Sequence, residues 1–352
     1  MTKKVLLDFQ RQGYTRDMKK VVILGSTGSL GTQTLDVLKK YPKDFKVIAL
    51  ACNQNEKLIN SQAKKFNVPK ENIFIAAKHS AKNLLKIASL KDADIIVNVL
   101  SGVAGVLPTI TALKAKKILL LGNKESLVAD GDKVIKLAKN AKLIPLDSEH
   151  NSIHEIIKKF PNKKIKNIFL SCSGGPFWGK NEKELENLTP EKALAHPKWD
   201  MGAKISVESA TLINKGLEIL EAYYLFNFPL SKIHAFINPQ CLIHAIVEFE
   251  KESYAYVSKP DMREHIENAF LETINKTKKR IIKKIPRKYY ENEIIKNPQT
   301  LALKGISIVL SHFKKRKMKS FLLLEEKTIQ EFLKNKIKFT QILAKLSRKR
   351  VV

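Results

Sequence analysis

The sequence predicts an α/β protein with a parallel sheet covered on both faces, then a mixed α+β region, then a short helical C-terminal part. Three observations carry this. Short apolar runs alternate with amphipathic helical stretches from Lys19 to about Leu146. Those runs lack polar–apolar alternation, as strands buried on both faces do. Beyond His150 the texture changes, and beyond about Thr273 the chain reads as helical and very basic.

In order, VVILG (21–25) reads as a buried strand, a glycine turn follows, and TLDVLKKY reads as a helix. FKVIALA (45–51) is the next strand and EKLINSQAKKF the next helix. DIIVNVL (94–100), KILLLG (117–122) and KLIPLD (142–147) are further strands. A helix over 151–159 precedes the strand KNIFLSCS (166–173), the loop SGGPFWG and a polar helix to about Ala195. HPKWDMGAKIS reads as irregular and Ser209–Phe226 as helical. Residues 233–258 alternate as antiparallel strands do. This divides the chain into a basic extension (1–18) and domains over 19–149, 150–273 and 274–352.

Composition excludes several classes. At 352 residues a large core is possible, and 44% hydrophobic content is ordinary for a globular protein. No apolar run approaches the roughly 18 residues that span a bilayer, so no membrane partner is expected. The start, MTKKVLLDFQRQGYTRDMKK, has too short an apolar stretch for a secretory signal and reads as an extension. Cys52, Cys172 and Cys241 are scattered and odd in number, which fits a cytoplasmic, reducing setting without disulfides or a zinc site. The net charge is +30, from 64 Lys and Arg against 34 Asp and Glu. The excess is diffuse lysine, densest over 276–288 and 314–319. No zinc-finger or RNP-type motif accompanies it, so a solvated basic surface is favoured over nucleic-acid binding.

Gly25, Gly28 and Gly31 fall between the first strand and its helix. Close approach of a phosphate needs residues without a Cβ, and a helix N-terminus offers free N–H groups and a positive dipole end. Thr27 and Ser29 add hydroxyls. The spacing is GxxGxxG rather than the dinucleotide fingerprint GxGxxG, so it is the strand–turn–helix context that points to a Rossmann-like site. The second strand ends at Asn53, Gln54 and Asn55 with no acid to bond ribose hydroxyls or repel a 2′-phosphate, which favours NADP. Lys57 is the nearest fixed positive charge, or simply a solvated helix residue.

Asp147 and Glu149 stand two apart at the end of a strand. In extended chain they project the same way, and two close carboxylates with hard oxygen ligands suit Mg²⁺ or Mn²⁺. Alone, the same residues also read as a helix cap with a first-turn acid. Ser173 at a Gly-Gly turn fits an anion nest. Asn214 and Glu218 share a helix face near Lys215 and Ser209, a set that fits a phosphate with a metal one turn on, or a solvated face. His196 and Trp199 fit a water-excluding lid, or surface packing.

The strings GSTGSLG, GNKESLV (122–128), PLDSEH, SGGPF, HPKWDMGAKISVESATLINKGLEILEA and SKPDMRE together resemble one family, 1-deoxy-D-xylulose 5-phosphate reductoisomerase. They run in family order from Val21 to about Glu264. The resemblance implies that Thr27, Gly28, Ser29 and Leu30 hold the NADPH pyrophosphate. Asn53, Gln54 and Asn55 would flank the cofactor too, with Asn123, Glu125 and Gly202 towards the nicotinamide. It implies that Asp147, Glu149 and Glu218 bind a divalent metal, Mg²⁺ or Mn²⁺ with Co²⁺ as an option. Lys124 and Ser148 would position the sugar oxygens. Ser173, Ser209, Asn214 and Lys215 would bind the phosphate, while His196 and a Trp199–Met201 lid close over it. Lys124, Glu149 and His196 would be catalytic. The implied reaction rearranges a small phosphorylated keto-sugar, by retro-aldol and aldol steps, to an aldehyde that NADPH reduces to 2-C-methyl-D-erythritol 4-phosphate. A homodimer through the 233–258 sheet is also implied.

The chain departs from the family pattern in four places. Gln54 stands where a basic residue is common, about 18 residues precede the first strand, Trp178 follows the Gly-Gly-Pro turn, and FLLLEEKTIQEFL (321–333) replaces the usual Asn-Ala-Ala-Asn-Glu stretch. The C-terminal helical domain is therefore expected to be reduced. The alternatives are an NADP oxidoreductase with another sugar substrate, disfavoured by the intact phosphate set, and a basic nucleic-acid-binding protein on a vestigial enzyme fold.

Overall fold

The computed structural model describes residues 17–175, 184–185, 188–194, 202–295 and 304–348. Its first half is a six-stranded, all-parallel sheet ordered β3-β2-β1-β4-β5-β6. The strands are β1 (Lys19–Leu24), β2 (Phe45–Cys52), β3 (Ile73–Ile75), β4 (Ile95–Asn98), β5 (Ile118–Leu121) and β6 (Leu143–Pro145). Between them run α1 (Ser29–Leu38), α2 (Glu56–Phe66), α3 (Ala81–Ala88), α4 (Val106–Lys114) and α5 (Glu125–Ala138). Both faces of β1 are buried: Val21 and Ile23 pack into one core, Val22 and Leu24 into the other. This is why its sequence shows no alternation. The chain reverses strand order at β1 and β4, and the crevice beyond their carboxyl ends is where such sheets bind ligands.

The second half is built on a mixed sheet ordered β11-β10-β9-β7-β8. β7 (Ile165–Cys172) pairs in parallel with β8 (Ile233–Ile237) and antiparallel with β9 (Ile243–Phe249), which continues antiparallel to β10 (Ser253–Val257) and β11 (Ile282–Lys284). The alternation over 233–258 thus marks strands correctly, but one pairing is parallel. The helices are α6 (Ser148–Lys159), the short α7 (Pro190–Leu194), α8 (Ala203–Ala210), α9 (Ile213–Leu225), α10 (Met262–Thr273), α11 (Lys304–Lys314), α12 (Met318–Leu333) and α13 (Phe339–Ser347).

Three expectations change. Ser209–Phe226 is two helices, broken at Leu212, whose φ of 54° leaves the right-handed region. The segment read as irregular already becomes helical at Ala203. The region after Thr273 is not all helix, because β11 adds an edge strand and Tyr290 packs into the second sheet's core. The second unit therefore reaches about Ile295 in space. Helix α10 lies inside the 150–273 span, yet Ile266, Ala269 and Phe270 fill the core against β1 and β4. Sequence position alone cannot show such a return.

Helices α8, α9 and α11 to α13 share one apolar core, from Val207, Leu217 and Val309 to Phe321, Ile329 and Ile342. The C-terminal helices thus back directly onto the helix pair that carries the predicted substrate residues.

Candidate active site

A cavity of about 450 Å³ opens between the first sheet's crevice, the second sheet and helices α8 and α9. Gly28, Ser29 and Leu30 line one end; Lys124, Glu125, Asp147, Ser148 and Glu149 the middle; Ser173, Ser209, Asn214, Lys215 and Glu218 the other.

The glycines of the first turn divide by role. Gly25 has φ 95°, and a Cβ on it would fall 2.7 Å from the Val99 carbonyl oxygen. A Cβ on Gly31 would fall 2.2 Å from the Gly25 oxygen. Those two are needed for close packing of strand, turn and helix. Gly28 faces the cavity, with only the Gly25 oxygen at 3.5 Å from a Cβ placed there. It begins α1 with no side-chain cap, so the helix's positive end is presented to the cavity. Gly202 also lines the cavity, and a Cβ there would meet nothing within 4 Å. These open cradles fit a dinucleotide lying across the carboxyl end of the first sheet.

Not every predicted cofactor residue faces that space. Thr27 is half-buried beside it. Asn53, Gln54 and Asn55 are exposed at the end of β2, outside the cavity wall, and Asn55 caps α2 by accepting from the Leu58 N–H at 3.1 Å. Asn123 is not among the residues that line the cavity. It is fully buried, and its amide donates to the carbonyls of Leu100 and Gly102 and to Glu125. Its side chain braces the loop behind the cavity.

The three predicted metal ligands converge. Oxygens of Asp147, Glu149 and Glu218 lie within 4.8 Å of one another. β6 delivers Asp147 to the end of the sheet, the first turn of α6 carries Glu149, and α9 brings Glu218 across from the other side. Two lysines sit among them. Lys124 Nζ lies 2.5 Å from Asp147 Oδ2 and 3.2 Å from Glu218 Oε1. Lys215 Nζ donates to Glu149 Oε1 at 2.5 Å and to Glu218. Lys124 also donates to Asn214 Oδ1 at 2.7 Å, and Ser148 donates to Glu149 at 2.5 Å. Cations thus already occupy the focus of the three carboxylates, and a donor set of hard oxygens there fits one divalent ion.

The charges are strongly coupled. Burial works against the Asp147 carboxylate, yet Lys124 beside it holds it below the usual carboxylate range. Burial and the Glu149 charge push Glu218 up, against the two lysines. Burial opposes the ammonium of Lys215, but Glu149 and Glu218 hold it firmly protonated. Below the site, His150 is fully buried, with Nε2 2.9 Å from the Glu218 carbonyl oxygen and Nδ1 3.5 Å from Glu221. It therefore steadies α9 beneath Glu218. His196, Trp199, Met201 and Trp178 lie outside the described residues.

The sequence reading passed over several wall residues: Lys204, Glu208, Cys172, Cys241 and His244 all line the cavity. Lys204 and Glu208 were findable as an i, i+4 pair once α8 is recognised as a helix. Cys172 and Cys241 carry no such signal, and burial pushes the Cys172 thiol up to about 12, far from a nucleophile's range.

A parallel-sheet dinucleotide crevice joined to an acidic, lysine-ringed pocket defines a dinucleotide-dependent oxidoreductase with a built-in cation site. Residues 21–131 match the pattern of 1-deoxy-D-xylulose 5-phosphate reductoisomerase, and 143–226 that of its C-terminal domain. The reductoisomerase of Clostridium novyi is 36% identical over 348 residues, 92% of this chain and 90% of its own. That of Thermodesulfovibrio yellowstonii is 44% identical over 263 residues, 70% of this chain and 69% of its own. A crystal structure of a DOX-P reductoisomerase in complex with NADPH, fosmidomycin and magnesium superposes with a TM-score of 0.82 at 29% identity, covering 95% of this chain and 90% of that one. The Zymomonas mobilis enzyme in complex with NADPH gives 0.76 at 29% identity, over 93% and 90%. The chain belongs to the 1-deoxy-D-xylulose 5-phosphate reductoisomerase family. It is an oxidoreductase that rearranges and reduces 1-deoxy-D-xylulose 5-phosphate to 2-C-methyl-D-erythritol 4-phosphate, with NADPH and a divalent metal.

Proposed function

We propose that the cavity residues divide this reaction among them as follows. Asp147, Glu149 and Glu218 hold the metal, Lys124 and Ser148 orient the sugar oxygens, and Ser173, Ser209, Asn214 and Lys215 hold the phosphate. Gly28, Ser29, Leu30, Glu125 and Gly202 form the dinucleotide wall. The observation that carries this reading is the convergence of three carboxylates within 4.8 Å in the same cavity as the glycine turn.

When bound, the metal polarises the substrate's carbonyl and adjacent hydroxyl, and NADPH supplies the hydride. Lys124, held protonated by Asp147 and Glu218, is placed to bind a sugar oxygen carrying negative charge. Ser148 keeps Glu149 oriented through its hydroxyl. Lys215 and the hydroxyls at the far end anchor the phosphate away from the reacting carbons, where binding energy serves orientation.

Glu218→Gln preserves shape and removes one ligand charge. Turnover of NADPH with 1-deoxy-D-xylulose 5-phosphate should fall about 100-fold, and calorimetric Mn²⁺ affinity should fall with it. Full activity with unchanged metal dependence in that variant rules out the ligand set. A cytosolic homodimer is the expected setting. Among the described residues no helix is long and apolar enough to cross a membrane, and the three cysteines are buried.

A further inference from the structure

We propose that Glu325, on the C-terminal helix α12, is a positioning residue for the reaction, fixing the nicotinamide end of the cavity through Lys204. The proposal rests on the assignment of Gly202 and its neighbours to the dinucleotide wall.

Lys204 lies in the first turn of α8, two residues after Gly202, and lines the cavity. Its ammonium is shared by three carboxylates from three elements. Glu208 of α8 is at 2.5 Å, Glu325 of α12 at 3.1 Å and Glu125 of α5 at 3.3 Å. All four side chains are at least 88% buried, and Glu325 has no exposure at all. Glu125 in turn accepts from the Gly102 N–H at 2.9 Å, just after β4. The neighbouring Glu326 presses on the same glycine, for a Cβ on Gly102 would fall 2.9 Å from its Oε2. Consecutive glutamates of α12 thus reach both sides of the crevice: one grips α8, the other backs the loop bearing Ser101.

A wholly buried carboxylate is costly and survives only where its partners repay it. Glu325 sits opposite Lys204 without hydrogen-bond geometry to it. Burial, with Glu208 alongside, pushes Glu325 well up, whereas Lys204 keeps Glu208 ionised. Glutamine keeps the shape of Glu325 and an oxygen to face Lys204. The stretch 321–333, where the sequence departs from the family pattern, thereby supplies the contact that ties the C-terminal helices to the cavity.

The test compares Glu325→Leu, Glu325→Gln and Lys204→Met in the full chain, reading NADPH affinity by fluorescence, Mn²⁺ affinity by calorimetry, and the isotope effect with deuterated NADPH. Glu325→Leu should weaken NADPH about tenfold and raise the isotope effect, with Mn²⁺ affinity unchanged. Glu325→Gln should stay within about twofold of the parent. Lys204→Met should reproduce the leucine defect, and the double variant should add little to it. Unchanged NADPH affinity in Glu325→Leu, or equal loss of NADPH and Mn²⁺ affinity, overturns the proposal. If Glu325→Leu does not fold, Lys204→Met decides, and normal NADPH binding there overturns it. Gly202→Val separates the two levels. If it leaves NADPH binding intact, the dinucleotide-wall assignment itself fails; if it blocks NADPH while Glu325→Leu does not, only the role of Glu325 fails.

Discussion

At the residue scale, the site's logic is competition between ammonium groups and a metal for the same oxygens. Lys215 is 3% exposed and its ammonium contacts two of the three carboxylates assigned to the metal. Like charges packed this closely repel strongly, so a bound cation and Lys215 cannot both keep those contacts. If the metal takes those oxygens, the charge of Lys215 is released towards the end of the cavity proposed for the phosphate. Lys215→Met removes the competitor together with the phosphate contact proposed above. Mn²⁺ should bind about tenfold more tightly in the variant, while inorganic phosphate binds about tenfold more weakly. Calorimetric titrations of each ligand alone check both signs, and weaker metal binding in Lys215→Met would refute the competition.

At the scale of elements, the break between α8 and α9 organises the site. Ser209 lies just before it, and Asn214, Lys215 and Glu218 follow within two turns. Helix α11 presses against this break: a Cβ on Gly305 would fall 2.0 Å from the Thr211 carbonyl oxygen and 2.7 Å from the Ile213 nitrogen. Those atoms are backbone and have nowhere to move. Gly305→Ala should cost about 1–3 kcal/mol, seen as a melting point lowered by roughly 1–4 °C, and should weaken phosphate and metal binding together. Exposed Ser307→Ala on the same helix serves as the control, and an unshifted transition in Gly305→Ala would discard the close-packing argument. The same region shows where sequence reading stops. Asn214 and Glu218 at i and i+4 were legible because helix periodicity is local. The left-handed Leu212 was not, because a bulky apolar residue carries no signal for positive φ. The bonding of Asn123 was illegible for a related reason: an amide in a matching motif gives no sign that it makes three hydrogen bonds behind the cavity wall. Glu325 was visible only as part of an unfamiliar stretch, since nothing local says that it meets Lys204 across 121 positions of sequence.

At the scale of the whole molecule, the proposed dimer must form between chains of net charge +30. The second sheet ends at β11 and at β8, whose outer edge is already met by Ile294 and Ile295. Among the described residues, three of the seven large apolar side chains left exposed lie along this sheet and its flank: Leu242 at 42%, Ile281 at 53% and Tyr289 at 66%. Apolar side chains grouped beside an edge strand mark an association surface. The charge opposes association, because two copies repel over any distance that salt does not screen, about 10 Å at 0.1 M. A dimer through this sheet should therefore tighten as salt is raised, the reverse of a contact held by ion pairs. Light scattering should give twice the 39.9 kDa chain mass, with the dissociation constant falling between low and moderate salt. Ile281→Lys with Tyr289→Glu should shift the population to single chains without lowering the melting point of the fold. A single-chain mass at every salt concentration would remove the dimer, and a dimer untouched by both substitutions would move it to another face.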